Sequence, residues 1–199
     1  MATATQPSAR ERLLAAADEL FYAEGIHVVG IDRIIERAGV AKASLYTTFG
    51  SKDALVGAYL DLRHDRSRAR IEAAVARQTA PRARLLALYD AQAELFAQPT
   101  FRGCAFVNAS AESDAGDAAD ERTRAHRDWL RTYLTGLARE AGATDPDELA
   151  RQLVVIYDGA NLSYRLDGNP AATELSRRSG AALVDAMVPP ARAGGASSA

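Results

Sequence analysis

The sequence predicts an all-α fold of about nine helices, and three observations carry that prediction. Of 199 residues 43 are alanine, against seven prolines and fourteen glycines, and β-branched residues are sparse, a balance that favours helix nearly throughout. Apolar side chains recur at steps of three and four rather than two. The interruptions that do occur are helix punctuation: Gly25, Gly39, Gln98-Pro99-Thr100, Asp145-Pro146 and Gly168-Asn169-Pro170.

Each helix has its own signal. Leu13, Leu14, Ala17, Leu20 and Phe21 form the stripe of an amphipathic helix over 9–24 that stops before Gly25. Ile31, Ile34, Ile35 and Ala38 repeat over two turns and end at Gly39, and a short helix over 42–48 turns Leu45 inward. Ser51 reads as an N-cap for a long helix reaching about Ala76 through Leu55, Val56, Tyr59 and Leu60. Pro81 opens the next as an N1 proline, with Leu85, Leu88, Tyr89 and Phe96 in it. The apolar stretch from Cys104 to Ala109 fits helix or strand by periodicity alone. Helices over about 117–141, from Asp145 to about Leu166, and over 171–187 follow, and the tail after Pro189 has the composition of a disordered segment.

Composition removes several classes of function. With 48% hydrophobic residues the chain has ample material for a core. One cysteine excludes a disulfide scaffold. No apolar run approaches the roughly 18 to 20 residues that span a bilayer, and the first ten residues lack the apolar core of a signal peptide, so a cytoplasmic protein without a membrane partner is expected. Net charge is −2, so no global basic field points to nucleic acid. Among 24 basic residues only Lys42 and Lys52 are lysine, and they flank one segment, Ala43 to Phe49.

That segment carries the first chemistry. Two helices of about eight and seven residues, joined by Ala38-Gly39-Val40, have helix-turn-helix dimensions. Glycine in the turn supplies the positive φ that lets two helices cross steeply. The second helix offers Lys42, Ser44, Thr47 and Thr48 opposite Leu45; with Ala43 these small and hydroxyl side chains let a helix axis approach a major groove, and threonine methyls can meet thymine. Lys42 and Lys52 at its two ends, and the Tyr46 hydroxyl, have reach for phosphate. A plain αα-hairpin with a solvated polar face fits the same spacing.

The stretch 36–55, GluArgAlaGlyValAlaLysAlaSerLeuTyrThrThrPheGlySerLysAspAlaLeu, resembles the signature of TetR-family transcriptional regulators. The similarity extends over about 10–60. It implies an N-terminal helix-turn-helix DNA-binding domain over 9–52, an effector-binding and dimerisation domain over 53–188, and short disordered ends at 1–8 and 189–199. It also implies a homodimer on a near-palindromic operator in double-stranded DNA, most often a repressor released by a small-molecule effector. Three positions depart from the family pattern: Gly30 and Ala41 stand where hydroxyl caps are usual, and Thr47-Thr48 where His and Tyr are common. With no arginine in the second helix, readout is expected from Lys42 and hydroxyls, with Arg33 or Arg37 on the backbone.

The remainder resembles the family in layout, and 101–112, PheArgGlyCysAlaPheValAsnAlaSerAlaGlu, looks like a segment of one branch of it. Candidate ligand-pocket residues are the aromatics Phe96, Phe106, Trp129, Tyr133 and Tyr157, with Cys104, Asn108 and Asn161 as polar members. Aromatics at helical spacing also serve as plain core. Cys104 follows Arg102-Gly103, a setting that can lower a thiol pKa, although a small buried residue fits equally. Leu149, Leu153, Ile156 and Ala160 alternate at steps of four and three as a seam for a partner helix, with Leu183 and Met187 on a matching last helix. Burial against the chain's own helices is the rival explanation. His27, His64 and His126 lie far apart and form no ligand spacing, the acidic run Glu112 to Glu121 reads as a solvated loop and helix start, and no cofactor is expected. An enzyme or a helical small-molecule carrier without DNA activity is the alternative function; no nucleophile-and-base pair or phosphate-cradling loop supports the former.

Overall fold

A computed structural model describes residues 7–169 and 171–190. It contains nine α-helices among those residues: α1 (Ala9–Glu24), α2 (Ile31–Ala38), α3 (Lys42–Phe49), α4 (Lys52–Ala76), α5 (Pro81–Phe96), α6 (Ala105–Ser110), α7 (Ala118–Glu140), α8 (Pro146–Asp167) and α9 (Ala172–Met187). The helix ambiguity at 104–109 resolves as the six-residue α6, with Cys104 in the N-cap position. Pro170 and most of the two expected disordered ends lie outside the described residues. No described helix is long and apolar enough to cross a membrane.

The caps follow from sequence. Ser8 and Glu11 form a reciprocal capping box at the start of α1. Asp145 accepts from the Glu148 amide, and Pro146 takes the N1 position of α8. Gly39 ends α2 at φ 61°, ψ 44°, the left-handed geometry that a Cβ opposes.

The chain forms two compact units: one from the N-terminal part up to Ala69 with Arg102–Asp128, the other from Arg70–Phe101 with the chain from Trp129 on. That division differs from a boundary at residue 52. The first part of α4, α6 and the start of α7 share a core with the helix-turn-helix: Leu13, Ala17, Phe21, Ile34, Leu45, Leu55, Tyr59 and Leu60 pack with Phe106, Ala109 and Ala119. These apolar faces have nothing else to bury against, so α6 belongs to the head.

In the second unit α5, α8 and α9 pack around Leu85, Leu88, Tyr89, Leu149, Leu153, Val154 and Val184, with Leu130, Leu134 and Leu137 of α7. Three side-chain hydrogen bonds to main-chain carbonyls join α5 to α8: Tyr89 Oη to Leu153 O (3.1 Å), Gln92 Nε2 to Tyr157 O (2.8 Å) and Tyr164 Oη to Phe96 O (3.2 Å). Gly180 of α9 lies under the Tyr89 ring, where a Cβ would overlap Cε2. A glycine inside a helix costs about 1 kcal/mol against alanine; here it gives the ring its seat.

Candidate nucleic-acid interface

The reading helix is positioned from behind. Leu45 is fully buried against α1, and the turn before α3 is pinned by Arg12 Nη1, which donates to Gly39 O at 3.1 Å. The Arg10 guanidinium lies 5.5 Å from the Phe49 ring at the far end. What α3 then presents to solvent is Lys42, Ala43, Tyr46 and Thr47, four positions at helical spacing, with Tyr46 47% exposed. Ser44 and Thr48 are only half-exposed, on the flanks of that face. Among the sequence-based candidates on α3, Ala43 and Thr47 are thus more exposed than Ser44 and Thr48. The reason is the direction in which Leu45 points.

Cations around the interface are tied to carboxylates and carbonyls. Arg33 forks onto Glu24 (2.7 and 2.8 Å) and Arg37 onto Glu19 (2.7 to 3.0 Å), so both arginines bind α2 to α1. Glu24 is held below the usual glutamate range by its hydrogen bond with Arg33. Each pairing occupies one edge of the guanidinium, Nη1 and Nη2 of Arg33 and Nε and Nη2 of Arg37. Lys42 Nζ sits 2.9 Å from Asp32 Oδ1 of α2, and that hydrogen bond holds the ammonium pKa above its ordinary value. Lys52 Nζ donates to His27 O at 3.4 Å, and Gly30 caps α2 without a side chain.

Behind the interface, residues 102–128 grip the same unit. Tyr22 Oη donates to Gly103 O (2.9 Å) and accepts from the Arg102 amide (3.0 Å). Glu112, expected in a solvated loop, instead accepts from the His27 amide at 2.8 Å, and its carbonyl meets His27 Nε2. Gly25, at φ 101°, makes room: a Cβ there would stand 2.5 Å from Glu112 Oε1. Asp53 of α4 accepts from the Ala118 amide at the start of α7 (3.1 Å). On α1, Asp18 receives Arg63 (2.5 Å) and Arg66 (2.6 Å) of α4, and Arg63 stacks 3.7 Å over Tyr22. The α1–α2 loop, α4 and the α6–α7 segment thus hold one another.

The eight candidate pocket residues divide between the units. Cys104, Phe106 and Asn108 lie in the first, with Asn108 Nδ2 donating to Arg102 O. Phe106 stacks on His126 at 3.8 Å, and His126 meets His64 through Nδ1 atoms 3.0 Å apart. Two histidines far apart in sequence are therefore neighbours, a proximity that spacing could not reveal; no cluster of three or more metal-capable side chains exists among the described residues. Phe96, Trp129, Tyr133, Tyr157 and Asn161 lie in the second unit, where Trp129 stacks on Tyr133 and Phe96 on Phe101 and Tyr164. Sequence reasoning missed Gln92. It and Asn161 are almost fully buried, both donate to Tyr157 O, and Gln92 Oε1 and Asn161 Oδ1 have no partner among the described residues. Gln92 interrupts the buried Leu85, Leu88, Tyr89, Phe96 stripe of α5, and that interruption was the available signal.

Three of the six residues expected in the dimer seam are covered by the chain's own core. Leu149, Leu153 and Ala160 are buried in the chain's own core and keep no surface for a partner; Ile156, Leu183 and Met187 are partly buried against it. The solvent side of the α8–α9 hairpin carries a different apolar set: Val155 (69% exposed), Leu162 (55%), Leu166 (72%) and Leu175 (48%). A groove of about 600 Å³ lies on that side, lined by Val155, Ile156, Ser179 and Leu183 among others.

Comparison with known proteins gives the same result along the chain. The description "Bacterial regulatory proteins, tetR family" matches residues 13–59, and "Tetracyclin repressor-like, C-terminal domain" matches 81–179. A TetR-family transcriptional regulator from Streptomyces coelicolor superposes with a TM-score of 0.85 at 37% identity, over 91% of this chain and 96% of that one. The transcriptional repressor NemR of Escherichia coli is 29% identical over 172 residues, 81% of this chain and 86% of NemR, and its reduced form superposes with a TM-score of 0.78. The transcriptional activator FasR of Mycolicibacterium smegmatis is 40% identical over 82 residues, 41% of this chain, and the match spans 37% of FasR. With its helix-turn-helix, its helical second unit and these matches over both, the chain belongs to the TetR family of DNA-binding transcriptional regulators.

Proposed function

We propose that this regulator is a cytoplasmic, non-catalytic homodimeric repressor that a small molecule releases from a near-palindromic operator. The exposed face of α3 carries the DNA part of that reading: Lys42, Ala43, Tyr46 and Thr47 offer a phosphate-seeking ammonium, two hydroxyls and a methyl on an otherwise slender helix. One such helix buries too little surface to specify a genomic site, so two act together, and twofold symmetry calls for a near-palindrome. The exposed Val155, Leu162, Leu166 and Leu175 supply the apolar surface for a partner hairpin. Repression is favoured over activation because the match to a repressor spans 86% of it, against 37% for the activator.

The effector is proposed to sit in the second unit with its polar end at Gln92 Oε1 and Asn161 Oδ1, two buried acceptors that call for a donor, and its apolar body among Phe96, Trp129, Tyr133 and Tyr157. Cys104, Phe106 and Asn108, in the first unit, are proposed to transmit or extend that response. Gel shift of the dimer against DNA upstream of its own coding sequence tests the core reading. A discrete complex that competitor DNA does not displace is expected, and absence of any such complex with that DNA and with sequences enriched from a random pool would sink it. A transcription reporter separates the signs: rising expression on deletion of the regulator means repression.

A further inference from the structure

Four cations lie between Ile31 and Lys52, and they differ in what holds them. Arg33 and Arg37 fasten α2 to α1, and Lys52 leans on the His27 carbonyl. Lys42 alone of the four is held by a carboxylate of the helix-turn-helix pair itself: Asp32, 2.9 Å away. The Asp32 side chain is 81% exposed and that of Lys42 56%, so the pair stands in water at the edge of the reading face. Neither packing nor a buried hydrogen bond requires Asp32 there. An exposed pair of this kind contributes little to folding.

We propose that Asp32 is a specificity-determining residue that keeps this regulator off non-operator DNA by neutralising Lys42. A phosphate approaching the ammonium meets a carboxylate already bound to it. Contact then exchanges one ion pair for another, and the counterion release that ordinarily drives a lysine onto DNA is largely forfeited. Binding to arbitrary sequence consists almost wholly of that electrostatic contribution, whereas an operator complex adds base contacts from Ala43 and Thr47. A carboxylate beside the leading cation therefore weakens non-operator complexes by a larger share than operator ones. The inference rests on the DNA-binding reading above and adds a residue outside the contact surface to it.

The test is a double-mutant cycle on the full-length dimer: wild type, Asp32→Asn, Lys42→Ala and the double variant, titrated on a fluorescent 30-base-pair random-sequence duplex and on a duplex enriched by the wild type. Asp32→Asn is expected to tighten random-duplex binding about two- to fivefold, the range open to one exposed pair. It should also steepen the salt dependence by about one unit between 50 and 200 mM salt. The enriched-to-random affinity ratio should fall. In the Lys42→Ala background the same change should add no slope, and Asp32→Glu should behave as wild type. An unchanged slope and ratio in Asp32→Asn overturns the proposal, as does an equal gain with Lys42 absent. Wild-type protein that binds neither duplex would overturn the DNA reading itself and this inference with it.

Discussion

Both units carry ion pairs at the surface, and the second adds polar ties inside its core. In the head, polar ties between helices lie mostly at the surface: Arg33–Glu24, Arg37–Glu19, Lys42–Asp32 and Glu112–His27. The second unit has surface pairs as well, Arg82–Asp185, Arg84–Glu140 and Arg177–Asp90, and adds buried ties to them, with Tyr89 and Gln92 reaching carbonyls of α8 inside a leucine-rich core. Surface ties are individually weak and respond to salt, whereas a buried one cannot be broken without leaving an orphaned group. The head's surface ties can yield when it meets a polyanion, while the buried ties of the second unit keep α5 and α8 together.

The largest expected effect comes from breaking the buried side of that contrast. Leu153→Ala should lower unfolding free energy by about 2–5 kcal/mol in thermal or denaturant melts. Leu162→Ala, on the same helix facing solvent, should cost the folded protomer under about 0.5 kcal/mol while weakening dimerisation in analytical ultracentrifugation. Equal losses of stability would mean that the two faces of α8 have been misassigned.

Gly180→Ala drives a methyl into the Tyr89 ring, and about 1–3 kcal/mol of overpacking is expected in the same melts. In the head, Gly25→Ala combines a positive φ with a contact on Glu112, for a cost of about 1–3 kcal/mol. Pairing it with Glu112→Ala should recover only the steric share; full recovery would show that the backbone is not strained.

For DNA, Lys42→Ala should weaken binding to all sequences but lower the salt slope by well under about one unit, because Asp32 already neutralises the ammonium. Thr47→Ala should change preference at one or two base pairs, by about 1–3 kcal/mol. A uniform loss from Thr47→Ala would remove it from base readout. Ser44→Ala and Thr48→Ala, half-buried on the flanks, should alter preference less.

The smallest effect is pH-dependent. Arg33 depresses the Glu24 pKa below its usual 4.5 in the folded head, so the stabilisation is complete above the unfolded glutamate's range. It fades as pH falls through the folded value. Arg33→Gln should therefore flatten the acid limb of stability slightly as pH falls through and below the ordinary glutamate range. A steeper acid limb in that variant would reverse the sign and exclude the pair as its source.

Much of the head was legible because a helix-turn-helix is local. Gly39, Leu45 and the hydroxyl-rich run after Lys42 lie within a few turns of one another, so spacing alone predicted α2, α3 and the turn. The partners of its cations were not legible: Glu19 meets Arg37 across 18 residues and Glu112 meets His27 across 85, and periodicity carries no information on such pairs. Which apolar residues of α8 face inward was not legible for another reason. Helix α8 is apolar on two sides, with Leu149 and Leu153 on one and Val155, Leu162 and Leu166 on the other. A stripe at steps of three and four identifies a buried face without saying whose atoms bury it.

The three hydrogen bonds between α5 and α8 advance in the same direction along both helices, from Tyr89 with Leu153 through Gln92 with Tyr157 to Phe96 with Tyr164. Such an arrangement works like a spline: it fixes rotation and axial position together. Inserting one residue into either helix would turn its downstream half by about 100° and advance it about 1.5 Å, removing the bonds beyond the insertion together. Changes of length in this half of the molecule are therefore confined to the connectors, and α5 and α8 can diverge in sequence while remaining matched in register.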